Sequence, residues 1–279
     1  MPPLKPWLYN RAVDLVERAR MARRRSRPTG MQAGVRILAD HRVAAQRDPL
    51  AVTLDAFRRQ LETVVAHDAR VVGLDAALDL LIHPVTEACI CVTFDDGYLD
   101  TLHIAAPILR ELGIPAAVLL PTAMVDGRAG YDWYRRSAPP RLTWDDVAEF
   151  VSDGLLDARS HSRSHARLPA LDADRVRDEL TESKAEIERH LRRRVGAFCY
   201  PAGLYRPRDV RLVLEAGYRG AVTCRSGPNR GGEPPAELRR TLIGWADDAH
   251  RFETKLAGVL DEPSRLIEAM QRRRAGGRG

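Results

Sequence analysis

Apolar positions along the chain fall into short unbroken runs separated by longer stretches with helical spacing. Val35 to Ala39, Ala88 to Phe94, Ala116 to Leu120, Leu155 to Ser160, Ala197 to Tyr200, Ala221 to Cys224 and Leu238 to Gly244 read as strands, being strand-length runs rich in aliphatic and β-branched side chains. Between them, Leu54 to His67, Leu102 to Leu112, Thr143 to Phe150, Asp172 to Arg194, Pro207 to Ala216 and a last segment from Ala249 read as helices. Gly113 and Pro115 stop the second of these and Gly217 stops the fifth, while Thr143 is placed to cap the third, with Asp145 and Asp146 in its first turn. Strand and helix alternate about seven times without an internal repeat, which predicts an α/β architecture of parallel strands with crossover helices, either a barrel or a doubly wound sheet.

Charge refines that picture. The 279 residues carry a net charge of +6, but residues 1–34 hold eight Lys/Arg against two acids and residues 271–279 hold four Arg and no acid. The body between them is therefore acidic overall, which argues against nucleic-acid binding, since that needs a basic groove. We expect three parts: a basic tail (1–34), a catalytic domain (35–270) and a second basic tail (271–279). Leu8, Ala12, Leu15, Val16, Ala19 and Ala22 lie near helical spacing beside arginines, so the first tail reads either as an amphipathic helix in peripheral contact with an anionic membrane or a partner protein, or as a solvated helix. No apolar run approaches the ~20 residues of a bilayer span, and the amino terminus shows no signal-peptide core. Cys89, Cys91, Cys199 and Cys224 lack C-x-x-C spacing. Reduced cysteines and a cytoplasmic location are the expectation.

Candidate chemistry gathers where α/β folds place it, at the carboxyl ends of strands. The strand at 88–94 ends in Asp95-Asp96-Gly97-Tyr98, that at 155–160 in His161-Ser162-Arg163-Ser164-His165, that at 197–200 in Pro201-Ala202-Gly203, and the first in Asp40-His41-Arg42. Two adjacent carboxylates repel, and a divalent cation separates their roles, one as ligand and one as free base. His161 and His165 are four apart, so one helical turn would bring both imidazoles to one face. Two histidines and one carboxylate leave coordination positions open, the pattern of a catalytic rather than a structural zinc site. The fingerprint glycines of a dinucleotide site and the phosphate loop of nucleotide enzymes are both missing.

These residues resemble the polysaccharide deacetylases of the NodB-homology type, carbohydrate esterase family 4. Thr93-Phe94-Asp95-Asp96-Gly97-Tyr98 is similar to the family's first motif, His161 to His165 to its second, and Phe198-Cys199-Tyr200-Pro201-Ala202-Gly203 to its Phe-x-Tyr-Pro-x-Gly segment. Leu142 to Val147 and Leu238 to Thr241 resemble weaker signatures, so the likeness spans about residues 35–260. It implies a distorted (β/α) barrel of about seven parallel strands and metal-dependent removal of an N-acetyl group from a sugar of a polysaccharide or an oligosaccharide. The expected cytoplasmic location and the basic tails add a lipid-linked glycan precursor at the inner leaflet as a substrate. By motif, Asp96, His161 and His165 would bind the metal, usually Zn2+, Asp95 would be the general base, and a backbone N–H near Tyr200 would hold the oxyanion. Arg240 matches a family arginine that would bond Asp95 or the substrate.

The leaving amine needs a general acid. The late histidine of many members has no counterpart after Leu238, but Ile37 to Val43 resembles the first-strand segment from which exopolysaccharide deacetylases of rearranged motif order take it, which assigns His41 to that role. Two departures stand out. Asp40 replaces a usual tyrosine and would orient or charge His41, and Arg159 replaces a usual glycine and would either weaken metal binding or pair with Asp95. Both departures favour the alternative of a non-catalytic sugar-binding or scaffold protein on the same barrel; a metal-dependent amide hydrolase of non-sugar substrates is a third reading. Trp133, Trp144 and Trp245 are candidates for stacking on sugar rings.

Overall fold

The structure, a computed structural model, describes residues 30–67, 69–131, 134 and 138–261. Both expected tails therefore lie almost wholly outside the described residues, and so does Trp133. The first strand, β1 (Gly34–Asp40), is followed by the short pair β2 (Arg42–Val43) and β3 (Ala51–Val52), then α1 (Leu54–Ala66), β4 (Arg70–Val71), α2 (Leu74–Leu80) and β5 (Ala88–Asp95). Next come α3 (Ala106–Glu111), β6 (Ala116–Leu120), α4 (Trp144–Phe150), β7 (Leu156–Ser160), α5 (Ala173–Leu191), β8 (Ala197–Cys199), α6 (Pro207–Glu215), β9 (Gly220–Val222), β10 (Arg240–Leu242) and α7 (Ala249–Leu256).

The strands pair in the order β10-β1-β5-β6-β7-β8-β9, all in parallel, with β4 added beside β5. A parallel bridge between Val222 and Leu238 joins the two ends, so seven strands make a nearly closed barrel among the described residues. The barrel is the outcome of the two expected architectures. Alternation along each strand divides the core in two. Ile90, Val92 and Phe94 face the helices, while Cys89 and Cys91 face the barrel interior with Val35, Ile37, Ala117, Leu119 and Cys199. Leu74, Ala77 and Leu78 of α2 join that inner cluster, and Leu78 meets Gly220 at the first residue of β9. So α2, which no strong pattern announced, plugs the amino-terminal mouth and leaves the carboxyl-terminal mouth for chemistry.

The expected helix over Leu102 to Leu112 forms with a defect. Its first turn, Thr101–Ala105, is a π-turn in which the Ala106 N–H donates to the Thr101 carbonyl five residues back. Pro107 follows at the start of α3 and has no N–H to give, so the normal ladder is interrupted there. The strand expected at 221–224 ends at Val222, and that at 238–244 narrows to three residues. Asp172 caps α5 by accepting from the Arg175 N–H at 2.9 Å, and Arg192 at φ +52 ends it.

One buried ion pair closes the described chain onto the barrel. Arg36, 2% exposed, meets Asp261 through two 2.9 Å bonds and Thr241 Oγ1 through a third of 2.8 Å. Removing one member of such a pair strands the other charge and costs about 3–5 kcal/mol. Arg36→Met is expected to lose that much in urea unfolding; a loss below about 1 kcal/mol would show that water takes the arginine's place.

Candidate metal centre and active site

Asp95 ends the inward-facing row of β5, which sends its carboxylate into the carboxyl-terminal mouth. Asp96 would point outward by alternation, but its φ of +74 turns the chain and returns the side chain to the same mouth, at a strain cost of about 1–3 kcal/mol. Gly97, at φ +66 with Leu120 Cδ2 only 2.8 Å from where a Cβ would stand, completes the turn without strain. The Tyr131 hydroxyl donates to the Asp96 carbonyl at 2.8 Å and keeps it there.

His161 follows β7 on its inward row. Its Nδ1 lies 3.0 Å from the Cys199 carbonyl, which can only accept, so the proton is on Nδ1 and the Nε2 lone pair faces the mouth. Asp96 Oδ1 is 3.7 Å from His161 Nε2 and 3.4 Å from His165 Nε2. The expected helical turn between the histidines does not form. Ser162 (φ +65) and His165 (φ +56) are left-handed, and a loop rather than a helix brings the rings together, their centroids 4.8 Å apart.

The ligand atoms of Asp96, His161 and His165 lie within 4.8 Å of one another. Bonds of about 2.0–2.1 Å in tetrahedral geometry set ligand atoms roughly 3.4 Å apart, so the trio fits a divalent cation. Asp96 Oδ1 is buried without a hydrogen-bond partner, as a metal-ligating oxygen would be before its ion is counted. Burial pushes both histidines down to about 4, against the pull of Asp95 and with added lowering from His165 on His161 and from His41 on His165. Both are neutral at pH 7, as ligation requires.

Asp95 lies to one side of this trio. Arg240, wholly buried, grips it with two bonds of 2.6 and 2.8 Å and is itself held by the Thr223 carbonyl at 2.9 Å. Burial alone would raise the Asp95 pKa, but the Arg240 charge and its hydrogen bonds outweigh it and hold the carboxyl well below its usual range. Of the two partners offered for Arg240 by motif, the structure pairs it with Asp95. His41 Nε2 stands 3.9 Å and His161 Nε2 4.0 Å from the same oxygen, Asp95 Oδ2. The loop that carries His41 is braced by Arg42, which bonds Asp48 and Asp100 at 2.8 Å each.

Other expected residues are placed differently. The Tyr200 hydroxyl donates to the Ala236 carbonyl at 3.0 Å, outside the barrel, and its backbone N–H donates to Val222 at 3.2 Å; an oxyanion at Tyr200 would have to share that donor. Arg159 neither pairs with Asp95 nor approaches the trio: it turns down the barrel interior to Asp75 on α2, at 2.8 Å, and to Asp157. Asp40 lies buried at the end of β1. It faces Asp247 and Lys255, and burial, then Asp247, raise its pKa to about 8 against the opposing pull of Lys255, so it is neutral at pH 7. The two departures that favoured a non-catalytic barrel thus leave the trio and Asp95 untouched. Trp144 is stacked on His190 at 3.9 Å between α4 and α5, away from the mouth, whereas Trp245 lies in the loop after β10, half-buried. Sequence reasoning missed Tyr131, the Cys199 carbonyl and Glu179 of α5, which accepts from Arg163 and Ser164 between the two histidines. None carries a local signal, because each acts through a backbone group of a distant segment.

A nearly closed parallel barrel with two carboxylates and three histidines gathered at its carboxyl-terminal mouth carries them where α/β-barrel enzymes have their active sites. Residues 83–221 match the family described as polysaccharide deacetylase, and the chain belongs to that family. The matched span holds Asp95, Asp96, His161 and His165, while His41 and Arg240 lie outside it. YxkH of Bacillus subtilis (strain 168), whose own name as a polysaccharide deacetylase is provisional, is 26% identical over 142 residues, 51% of this chain and 47% of YxkH. The alignment thus spans about half of that relative. Among solved structures, the deacetylase PplD of Streptococcus pyogenes, in complex with acetate, superposes with a TM-score of 0.70 at 20% identity, over 80% of this chain and 98% of PplD. IcaB of Ammonifex degensii gives 0.71 at 24% identity, over 82% of this chain and all of IcaB. These two likenesses establish the fold.

Proposed function

We propose that the protein is a metal-dependent hydrolase that removes an N-acetyl group from a sugar residue of a glycan, with Zn2+ as its ion. The observation that carries this reading is the convergence of Asp96, His161 and His165 within 4.8 Å beside an aspartate that Arg240 keeps ionised. A cation held by that trio supplies a Lewis acid and lowers the pKa of water toward neutrality. Asp95 accepts the proton of the attacking water, and Arg240 orients its two oxygens while Asp95 is charged. His41, whose Nε2 stands 3.9 Å from Asp95 Oδ2, delivers a proton to the departing amine. The barrel interior beneath is filled by aliphatic side chains and the Arg159–Asp75–Asp157 ion pairs and closed by α2, so the reaction is confined to the mouth.

The test is acetate release from N-acetylglucosamine oligomers by the zinc-loaded protein, with chelated protein and Asp95→Asn alongside. Release by the loaded wild type alone supports the reading; acetate release unaffected by chelation, or none from any N-acetylated glycan by a zinc-loaded wild type, overturns it. His41→Ala is expected to keep its metal and lose turnover about 10²–10⁴-fold. Wild-type turnover in that variant would remove His41 from the acid role.

A further inference from the structure

The segment His161 to His165 is held from both sides. On one side the Thr122 and Ala123 N–H groups donate to the carbonyls of Ser162 and Arg163, at 3.2 and 2.8 Å. On the other, the loop's own donors need an acceptor, since left-handed residues at both ends remove any helical partner. A single carboxylate provides it. Glu179, 7% exposed on the inner face of α5, accepts through Oε2 from the Arg163 N–H at 3.0 Å and the Ser164 N–H at 2.8 Å, and through Oε1 from the Ser164 hydroxyl at 2.5 Å. Glu179 has no ion-pair partner among the described residues; neighbouring Arg163 pairs instead with Glu182. Its charge is answered by loop donors alone, one residue short of His165.

From this we infer that Glu179 is a positioning residue for the metal centre: by clamping Arg163 and Ser164 it sets the left-handed loop that aims His165 Nε2 at Asp96. The inference rests on reading Asp96, His161 and His165 as metal ligands. Without the clamp two adjacent N–H groups turn to find water, and the His165 ring turns with them. Partners one shell removed from a ligand act in this way on affinity as well as on geometry. The same helix supplies a contrast. Glu188 also clamps a loop, accepting from the Val195 N–H at 2.9 Å and from Lys184 at 2.7 Å, but that loop leads into β8 and carries no ligand of the trio.

The experiment titrates metal-free protein with Co2+ and follows its visible d–d absorption, in wild type, Glu179→Gln, Ser164→Ala and Glu188→Ala, with thermal unfolding of each metal-free protein recorded in parallel. Glu179→Gln removes the negative charge from the clamp and leaves a weaker, neutral oxygen as acceptor for the two backbone N–H groups. It is expected to weaken Co2+ binding about 10–100-fold and to change the absorption band. Ser164→Ala keeps the carboxylate and both backbone bonds, and it is expected to shift affinity in the same direction by less than tenfold; it decides the matter if Glu179→Gln does not fold. Glu188→Ala is expected to lower the unfolding temperature and leave Co2+ affinity unchanged. Wild-type Co2+ affinity and spectrum in the folded Glu179 and Ser164 variants would overturn the inference and leave Glu179 a purely structural residue. A wild type that takes up no Co2+ would instead sink the reading of the trio as a metal centre, and the inference with it.

Discussion

Arg240→Met is expected to abolish turnover almost entirely and to unfold at markedly lower urea. In the native protein two short bonds tie the Arg240 guanidinium to Asp95, and both side chains are buried, at 0% and 4% exposure. Taking away the arginine leaves a buried carboxylate without its counter-charge, a change that costs about 3–5 kcal/mol. The group would respond by holding its proton. Desolvation, the largest influence on Asp95, already pushes its pKa up, and nothing as close would oppose it. A protonated Asp95 cannot accept a proton from water, so turnover at neutral pH should fall by at least the 10²–10⁴-fold typical of losing a general base.

The sign of the pH dependence separates this account from simple loss of packing. Native Asp95 has a pKa below its unfolded value, so the stability contributed by the pair is present above pH ~4 and is lost as pH falls toward the lowered value. In Arg240→Met the unpaired Asp95 has a raised pKa instead, which costs stability as pH rises above ~4. The urea-midpoint gap between wild type and Arg240→Met should therefore be wide at pH 7, narrow toward pH ~4 as that cost disappears, and narrow further below pH ~4 as wild type loses the pair. A gap that does not change with pH would show that the arginine contributes packing alone.

Asp40→Asn should act the other way and stabilise the protein. Asp40 is buried, its Oδ1 has no hydrogen-bond partner, and burial with the nearby Asp247 raises its pKa to about 8 despite Lys255. A carboxyl whose folded pKa lies above its unfolded value takes up a proton on folding. The stability present below pH ~4 is then progressively lost as pH rises through the window from ~4 to about 8. Asparagine matches the shape of the neutral acid and has no charge to suppress. Unfolding midpoints should coincide near pH 4 and diverge until, at pH 8, the variant is more stable by up to several kcal/mol. A variant less stable than wild type at pH 8 would mean that an ionised Asp40 is held by Lys255 after all. The change also bears on the site, because Asp40, the buried last residue of β1, directly precedes His41.

Much of this protein could be read directly from its residues, for local physical reasons. Aliphatic runs of strand length between capped amphipathic segments predict parallel strands with crossover helices, and the carboxyl ends of those strands hold Asp95, Asp96, His161, His165 and His41. Side-chain alternation is a local rule, so the inward placement of Asp95 and His161 follows from strand parity. The elements that escaped were short or irregular: α2, the paired β2 and β3, and the π-turn ahead of Pro107.

Long-range contacts decided the rest. The return of Asp96 to the mouth depends on a left-handed turn braced by Tyr131, and the meeting of His161 with His165 depends on a loop clamped by Glu179 rather than on helical periodicity. Arg159 carries a charge that the sequence places next to the metal motif, yet the partners that claim it are Asp75, on the plug at the far end of the barrel, and Asp157. Asp40 similarly reads as a charge beside His41 until burial makes it neutral. Spacing along a chain states which groups share an element, because the backbone repeat is local. Which partner a charge meets, and whether it remains a charge, depends on burial and on segments far away in sequence, and for this protein only the closed barrel supplied those.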